Sequence, residues 1–491
     1  MATKTPNKRL AALDGGPGVQ MGPDLMFQQL EEGYDQGPDN IALICAHQSW
    51  GYLRNIVGEQ PAAGCLTWTY RQMMRAARDI AFVWEEYGVG VSRGGTLVAF
   101  LPSCAELALG LWVSAILDLT FVPLNPSSLN VNGPGEQDYP LEQLGTTVVL
   151  VSNLRDAYNF DDLYPDLAKN SELKIVCHEQ VDGFFRGWAN FTIPDTYRSR
   201  EPRADDKPHR PGPENRFLAD NHVAAMLFTT QESPDHPPKG CPLTVLNIRT
   251  ALVNQYILSG QRYLVTCPAW SSATLEAMLV AWKRGSAIVF SGAVFSAQIT
   301  LSAVELHGCT RLICTPPQLE KLVNHPSRSQ RDLSSLRSLS VHGGVVSAEL
   351  LAQGQDALQT EWASSSFTMA EGFGVLGWGS ELLSSTDRTL DSVGTVLSGS
   401  RIKVCSLDRD GGSVLSRGEE GRLHVGGDAI IAGYLGGASG KRFYQDLDDK
   451  RWFITNYLAT IDANGVVRLT TELKGMFQNP RHTFTTIHRR H

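Results

Sequence analysis

Short apolar runs alternate with amphipathic stretches along most of the chain. The run VAAMLF at residues 223–228 is continuously apolar, as is typical of a strand buried on both faces of a parallel sheet. The stretch after Tyr70 has a helical period instead. Its apolar side chains recur at helical spacing, namely Met73, Ala77, Ile80, Ala81 and Trp84. Strand and helix patterns that alternate in this way predict a parallel α/β sheet.

One strand-loop-helix unit suggests an anion site. After VAAMLF, a polar and proline-broken loop ends in Pro238-Lys239-Gly240, and VLNIRTALVNQY then resumes with helical spacing. Backbone N–H groups at the N-terminus of a helix attract anions. The unit therefore predicts a phosphate-binding loop.

Other segments indicate the boundaries of the folded part. Residues 1–22 have no periodicity, which predicts a loose leader. The Pro-rich, mixed-charge stretch at about residues 198–216 predicts an exposed connector. Near the end of the chain, Asn464-Gly465 lies between two strand patterns and predicts a type I′ hairpin turn.

Composition narrows the class of protein. The 491 residues are 42% hydrophobic and 19% charged, which describes a globular chain of two or three domains. A net charge of −8 and a pI of about 5.9 argue against a nucleic-acid partner. The apolar runs are too short for a bilayer and no signal peptide is visible, so we expect a cytoplasmic protein without a membrane partner. Nine cysteines without a CxxC pair predict structural thiols and no zinc site.

Several motifs, taken in order, resemble those of the adenylate-forming superfamily (acyl-CoA synthetases, nonribosomal-peptide adenylation domains and luciferases). They include LTWTYRQMMRAARDIAFVWEEYGV, LDLTFVPLNP, LRSLSVHGGVVSAEL and SSSFTMAEGFG, and their order holds from about residue 23 to 477. The resemblance implies two parallel α/β subdomains within residues 23–390 and a small β-barrel subdomain at 391–477, as in the N-terminal part of these enzymes. The family's mobile C-terminal domain carries a lysine that contacts the reacting carboxylate. We expect it to be absent, because the tail at 478–491 is too short to fold as a domain.

The resemblance implies an ATP and Mg²⁺ site, and several residues match it. Glu371 matches the metal-binding glutamate, since Mg²⁺ prefers oxygen ligands, and Phe367 falls where an aromatic ring packs against adenine. The other positions that match nucleotide contacts are Thr229, Thr230, Lys239, Gly343, Gly344 and Thr455.

Other positions depart from what nucleotide binding requires. Gln231 and Pro234 replace glycines of the phosphate loop, where the backbone must approach phosphate closely. Tyr457 stands where the family has an aspartate that accepts hydrogen bonds from both ribose hydroxyls. Glu472 replaces an arginine that contacts ribose and phosphate, so its charge repels phosphate. These changes predict the loss of ATP-dependent adenylation and leave the cofactor unknown.

The resemblance also places an acyl pocket beside these positions. Its residues are Trp270, Ser271, Val345, Thr368 and Met369. His342 and Glu371 are candidates for acid–base catalysis if they face this pocket. The alternatives are that His342 is a hydrogen-bonded turn residue, and that Phe367 and Met369 are core residues while Glu371 caps a turn.

Three functions follow from the resemblance. The first is the binding or transformation of a carboxylate- or acyl-derived small molecule, in natural-product biosynthesis by fold-level analogy. The second is a residual acid ligase that forms acyl-AMP with the aid of a partner, and the third is a noncatalytic scaffold. A carrier protein or a pathway enzyme is a candidate partner.

Overall fold

A computed structural model describes most of the chain. The described residues are 9–18, 26–51, 53–57, 64–86, 90–130, 139–181, 186–193, 221–230, 237–253, 259–378, 389–407, 412–437 and 442–473. The predicted connector at about residues 198–216 and the tail at 478–491 lie outside these ranges.

The α-helices within the described residues follow the amphipathic or apolar stretches of the sequence. In chain order they are α1 (Met26–Gln36), α2 (Arg54–Val57), α3 (Tyr70–Glu86), α4 (Ala105–Ile116), α5 (Leu154–Leu163), α6 (Pro165–Asn170), α7 (Val245–Val253), α8 (Ser272–Lys283), α9 (Ala297–His307), α10 (Pro316–Val323) and α11 (Ala348–Ala357).

The strands are mostly short. In chain order they are β1 (Ala12–Asp14), β2 (Ile41–Cys45), β3 (Leu66–Thr69), β4 (Thr96–Phe100), β5 (Thr120–Pro123), β6 (Thr146–Val151), β7 (Leu173–Val176), β8 (Trp188–Asn190), β9 (Val223–Phe228), β10 (Gly240–Thr244), β11 (Arg262–Val265), β12 (Ala287–Phe290), β13 (Arg311–Cys314), β14 (Ser338–His342), β15 (Trp362–Ser366), β16 (Leu376–Gly377), β17 (Ser392–Val396), β18 (Ser400–Cys405), β19 (Gly421–Gly427), β20 (Phe443–Gln445), β21 (Arg451–Ile461) and β22 (Val467–Glu472).

Two of the three sheets are built mainly from parallel strands. The first has the order β10-β9-β5-β4-β6-β7-β8, and the second has the order β15-β14-β13-β11-β12-β2-β3. The edge strands β10 and β3 pair antiparallel with β9 and β2, while the other neighbours are parallel. The second sheet is formed by two separate segments of the chain. Strands β2 and β3 precede the first sheet in sequence, and β11 to β15 follow it.

The third sheet is antiparallel and curled. Its strands have the order β1-β18-β19-β21-β22-β17-β16, and β20 lies beside β21. It contains the strands within the predicted β-barrel subdomain at 391–477, together with β1 and β16 from outside those bounds. Together, the three sheets confirm the predicted α/β fold class and its likeness to the N-terminal part of adenylate-forming enzymes.

Two local predictions were wrong. Part of the predicted loose leader forms β1, which pairs with β18 and buries Ala11 completely. The hairpin turn between β21 and β22 is not of type I′, because of its two predicted residues only Gly465 has a positive φ, at 87°. The N–H groups of Asn464 and Val466 instead donate to the carboxylate of Asp462, at 2.8 and 2.9 Å. The Asp462 side chain therefore stabilises this turn, in place of the type I′ backbone conformation that the sequence predicted.

Helices α4 and α8 fill the core that the first two sheets share. Residues 273–283 of α8 are all buried. Trp282 of α8 meets Trp112 of α4 edge to face, with ring centroids 5.7 Å apart, and its Nε1 donates to the carbonyl of Ala42 at 2.9 Å. A helix that is apolar on every side fits such a position between two layers.

Two predictions from the sequence concern membrane spans and the cysteines. None of the helices among the described residues combines the length and apolar character that a bilayer span requires. All nine cysteines are buried, unpaired thiols.

Candidate functional site

Three of the predicted site residues, Phe367, Glu371 and Lys239, lie close together where the chain after β15 faces the third sheet. Phe367 and Glu371, which follow β15, contact Tyr457 of β21 and Tyr434 after β19. Lys239, which precedes β10, reaches the same place over the ring of Tyr434. Ligands of open α/β sheets bind at such carboxyl edges.

The base of the predicted phosphate loop is closed by backbone and side-chain hydrogen bonds. The N–H of Thr229 donates to the carbonyl of Lys239 at 3.1 Å, and the N–H of Lys239 donates to Oγ1 of Thr229 at 3.0 Å. Thr230 is exposed, and residues 231–236, with Gln231 and Pro234, lie outside the described part. The strand β10 follows the loop before α7 begins, so the prediction of a helix directly after the loop missed a strand.

A tight turn holds Glu371 in the interior. Met369 and Gly372 exchange backbone hydrogen bonds of 3.2 Å, and the Glu371 carbonyl accepts the N–H of Ile431 at 3.0 Å. A Cβ on Gly372 would lie 2.3 Å from the carbonyl oxygen of Ala429. Only glycine therefore fits beside Glu371 without moving the loop after β19.

The carboxylate of Glu371 is engaged by a tyrosine. Tyr434 Oη donates to Oε1 of Glu371 at 2.6 Å, and both residues are buried. The rings of Tyr434 and Phe443 pack edge to face, with centroids 5.3 Å apart. The Nζ of Lys239 lies 5.2 Å from the centroid of the Tyr434 ring. This distance is at the short end of the usual range for O–H···O hydrogen bonds.

The electrostatics of this cluster favour a neutral tyrosine and a carboxylate that is hard to ionise. Burial raises the pKa of Glu371, while the Tyr434 hydrogen bond and the charges of Arg442 and Lys239 oppose that rise. Burial and the charge of Glu371 also raise the pKa of Tyr434, so its hydroxyl stays protonated and donates. Burial raises the pKa of the neighbouring Cys241 thiol as well.

His342 is a buried, neutral imidazole at the end of β14. Its Nε2 lies 2.9 Å from Oγ of Ser340, which in turn lies 2.8 Å from Oγ of Ser366. Burial, assisted by the charge of Arg311, lowers the pKa of His342 to about 3. Within the described residues, no group forms a hydrogen bond with its Nδ1. This ring nitrogen therefore has bonding capacity that the described contacts do not use.

A glycine turn follows His342, and the residues of the predicted acyl pocket lie at or near the surface of the large core. Gly343 has a φ of 82°, which glycine adopts without strain, and Gly344 continues the turn. Trp270, Val345 and Met369 are partly buried against the core. Thr368 is buried.

Ser271 has a structural task. Its Oγ accepts the N–H of Thr274 at 3.2 Å, which makes it the N-cap of α8. A capping oxygen satisfies one of the free N–H groups in the first turn of a helix. Helix capping is therefore the role of Ser271 that the contacts support.

Two aromatic rings occupy the positions that resemble adenine and ribose contacts. Phe367 and Tyr457 pack edge to face, with centroids 5.7 Å apart and planes at 75°. Phe367 is only 3% exposed. Tyr457 is also the direct cross-strand neighbour of Glu472, so two of the departures seen in the sequence lie side by side.

Thr455 uses its hydroxyl inside the third sheet. Its Oγ1 donates to the carbonyl of Leu423 at 2.8 Å and accepts the N–H of Tyr457 at 3.1 Å. The residue is 1% exposed. Its contacts therefore fix the backbone that carries Tyr457.

Sequence reasoning missed three residues of the cluster around Glu371. They are Tyr434, Cys241 and Arg442, all buried. Tyr434 lies within the run IIAGYLG, in which a tyrosine has no chemical signal of its own. Only the fold brings it to Glu371, because 63 positions separate the two residues.

Comparison with solved structures shows the fold. A long-chain-fatty-acid–CoA ligase from Archaeoglobus fulgidus superposes with a TM-score of 0.73 and 18% identity, covering 95% of this chain and 88% of that one. A luciferase-like enzyme from the nonluminescent mealworm Zophobas morio superposes with a TM-score of 0.71 and 18% identity, covering 95% and 100%.

Comparison with sequences gives the family. An acyl–CoA ligase of Pestalotiopsis microspora is 26% identical over 488 residues, covering 93% of this chain and 80% of the relative. A 4-coumarate–CoA ligase of Oryza sativa is 21% identical over 421 residues, covering 83% and 70%. The family model described as AMP-binding enzyme matches residues 30–435. These matches confirm the resemblance found in the motifs, and the chain belongs to the AMP-binding enzyme family.

Proposed function

We propose that this protein binds a small carboxylic acid or acyl-derived compound at the carboxyl ends of β14 and β15, and that it does not activate this compound with ATP on its own. The observation that carries the proposal is the edge-to-face contact of Phe367 with Tyr457. It fills the place where the family resemblance puts adenine and ribose.

The residues present do not fit a nucleotide. A phenol offers one oxygen where an aspartate offers two acceptors for the ribose hydroxyls. Burial raises the pKa of Tyr457, so the phenol stays neutral. The neighbouring Glu472 adds negative charge where phosphate binding needs positive charge. We therefore assign no chemical step to ATP.

The acid side retains groups that suit a carboxylate. The unpaired Nδ1 of His342 offers a donor if the Ser340 hydroxyl donates to Nε2. The partly buried Trp270, Val345 and Met369 add apolar surface. An apolar lining with a few polar groups is the usual character of a small-molecule site. The place of this compound in natural-product biosynthesis rests on analogy of fold alone.

Binding measured without nucleotide tests the acid half of the proposal. A panel of aliphatic and aromatic acids is screened by thermal unfolding, and at least one acid is expected to raise the Tm of the wild-type chain. At about 100 times Kd, such binding stabilises the fold by about 2.7 kcal/mol. The effect should vanish in Trp270→Ala and persist in Trp362→Ala, because Trp362 lies at the opposite end of β15. A panel without any stabilising acid would favour the scaffold function.

Calorimetry with ATP and Mg²⁺ tests the nucleotide half. We expect no heat of binding for the wild-type chain. The double variant Tyr457→Asp, Glu472→Arg restores both family side chains on adjacent strands and is expected to gain measurable affinity. Micromolar binding of ATP by the wild-type chain would contradict the proposal.

One observation favours a residual ligase as the second candidate. Lys239 and Glu371 lie around the same tyrosine ring, so a cation and a carboxylate of the family's site are still close together. Release of pyrophosphate by the purified chain, with any acid of the panel, would select this function over the first.

A further inference from the structure

A second group of ligating side chains lies at the carboxyl edge of the first sheet. Cys104 precedes α4, Glu106 is in the first turn of α4, and His178 follows β7. Cys104 Sγ, a carboxylate oxygen of Glu106 and a ring nitrogen of His178 lie within 4.8 Å of one another. Because β4 and β7 are parallel strands on either side of β6, residues far apart in sequence converge at one edge.

The spacing of these atoms suits a small metal ion. Nε2 of His178 is 3.6 Å from Oε2 of Glu106. Ligands that surround zinc tetrahedrally at roughly 2.0–2.3 Å lie about 3.3–3.8 Å apart. The two side chains therefore approach a common coordination shell without a change of backbone.

Burial gives the group a reason to bind a cation. Glu106 and Cys104 are completely buried, whereas the His178 side chain is 29% exposed. Gln48 Nε2 donates to Oε2 of Glu106 at 2.9 Å, and Nε2 of His178 lies 3.6 Å from the same oxygen. A buried carboxylate is costly unless a positive charge lies beside it. The exposed edge of His178 provides a route of entry.

Cys104 is available as a ligand. It is the N-cap residue of α4, yet its side chain makes no capping hydrogen bond to the helix. The N–H of Ala105 is taken by Oε1 of Gln48 instead, at 2.9 Å. Its Sγ lies within 4.8 Å of the ligand atoms that Glu106 and His178 offer.

We propose that Cys104, Glu106 and His178 bind a divalent cation of the zinc class, with the fourth position open on the solvent side of His178. The donor set of one sulfur, one nitrogen and one oxygen selects zinc over Mg²⁺ or Ca²⁺, which prefer oxygen alone. The cation joins the start of α4 to the end of β7. Through Gln48, which follows β2, it also supports the contact between the first and second sheets.

A metal-free ion pair is the competing description of the same atoms. Burial lowers the pKa of His178, but the hydrogen bond and charge of Glu106 outweigh burial and raise it. A protonated His178 would then neutralise Glu106 without a metal. The two descriptions differ in whether the folded chain takes up an ion.

Titration of the metal-free full chain with Co²⁺ tests the proposal. We expect one Co²⁺ per chain, displaced by Zn²⁺, with a sulfur-to-cobalt charge-transfer absorption that disappears in Cys104→Ser. His178→Gln and Glu106→Gln, which keep side-chain size, should weaken binding by at least the roughly 10–100-fold that loss of an outer-shell partner costs. Zn²⁺ should raise the Tm of the wild-type chain and not that of His178→Gln.

Two variants control for unspecific binding. Cys267→Ser removes another buried thiol, and His325→Gln removes another histidine, neither belonging to the group. Both should bind Co²⁺ as the wild type does. The proposal is overturned if the wild-type chain shows no thiolate absorption with Co²⁺, or if His178→Gln, whose altered side chain lies near the surface, binds as tightly as the wild type.

Discussion

The two sides of the candidate site differ in how their polar side chains are partnered. On the side of β14 and β15, His342 is buried with one ring nitrogen unpaired within the described residues. On the side of the third sheet, Tyr434 donates to Glu371 and Thr455 donates to Leu423. An unpaired buried polar atom costs about 1–3 kcal/mol. At these residues, His342 keeps an unused bonding atom, whereas Tyr434 and Thr455 use their hydroxyls within the fold.

The pH dependence of stability tests the first side and carries the largest expected effect. His342 has a folded pKa of about 3 and an ordinary value of 6.5, so the unfolded chain binds more protons between these values. Its stabilising contribution is complete above pH 6.5 and falls as the pH falls toward 3. Between about pH 7 and pH 4 this loss amounts to about 3 kcal/mol.

The variant His342→Leu should remove this part of the pH dependence. Urea unfolding of the variant and the wild type across the acid range measures it. At neutral pH the variant removes the unpaired nitrogen but also the bond of Nε2 with Ser340, so a net loss of about 1 kcal/mol is expected. Equal slopes for His342→Leu and the wild type would mean that His342 is not a buried neutral imidazole.

The hydroxyl of Tyr434 tests the second side. Tyr434→Phe keeps the ring contacts with Phe443 and Phe453 but removes the hydrogen bond to Glu371. We expect a loss of about 1.5–3 kcal/mol in the free energy of unfolding, since the acceptor is a buried carboxylate. Denaturant unfolding at neutral pH provides the measurement.

Tyr444→Phe is the matched control for this change. It removes a bond of 2.7 Å between two groups of the same sheet, Tyr444 Oη and Nδ1 of His424. Because burial lowers the pKa of His424 to about 3, the ring is neutral, and the expected loss is about 0.5–1.5 kcal/mol. If Tyr434→Phe were no more destabilising than Tyr444→Phe, the hydrogen bond between Tyr434 and Glu371 would not make the stronger contribution to stability that we expect.

Ser271 gives the smallest expected effect and sharpens the border of the acid site. Ser271→Ala removes the N-cap of α8 and should cost about 1 kcal/mol, while Ser271→Asp should retain most of the stability. Acid binding should be unchanged in Ser271→Asp when it is measured by thermal shift. If Ser271→Asp lost acid binding, Ser271 would be a residue of the acid pocket, as the sequence predicted.

Much of the fold was predictable because its signals are local. The apolar run of β9 and the helical period of α3 were read directly from the sequence. The strands β1 and β10 were missed because each depends on a partner elsewhere. β1 pairs with residues about 390 positions away, and β10 is a short strand, broken by Pro242, that pairs with β9 across the loop.

The site was predictable only where a motif carried it. Glu371, Phe367 and Lys239 came from family resemblance, and the structure brings them to a common place. Tyr434 was missed because no spacing rule links it to Glu371. His178 and Cys104 were missed for the same reason, since metal-ligand spacing was sought within short segments, and these two residues meet only across a sheet.

The strand β1 has a practical consequence for handling this protein. It covers β18, which would otherwise offer a row of unpaired backbone groups to other molecules. Trimming the chain to begin at its first helix would uncover that row and encourage self-association. Affinity tags and fusion partners at this end therefore need a spacer ahead of Arg9, so that the strand can still reach its neighbour.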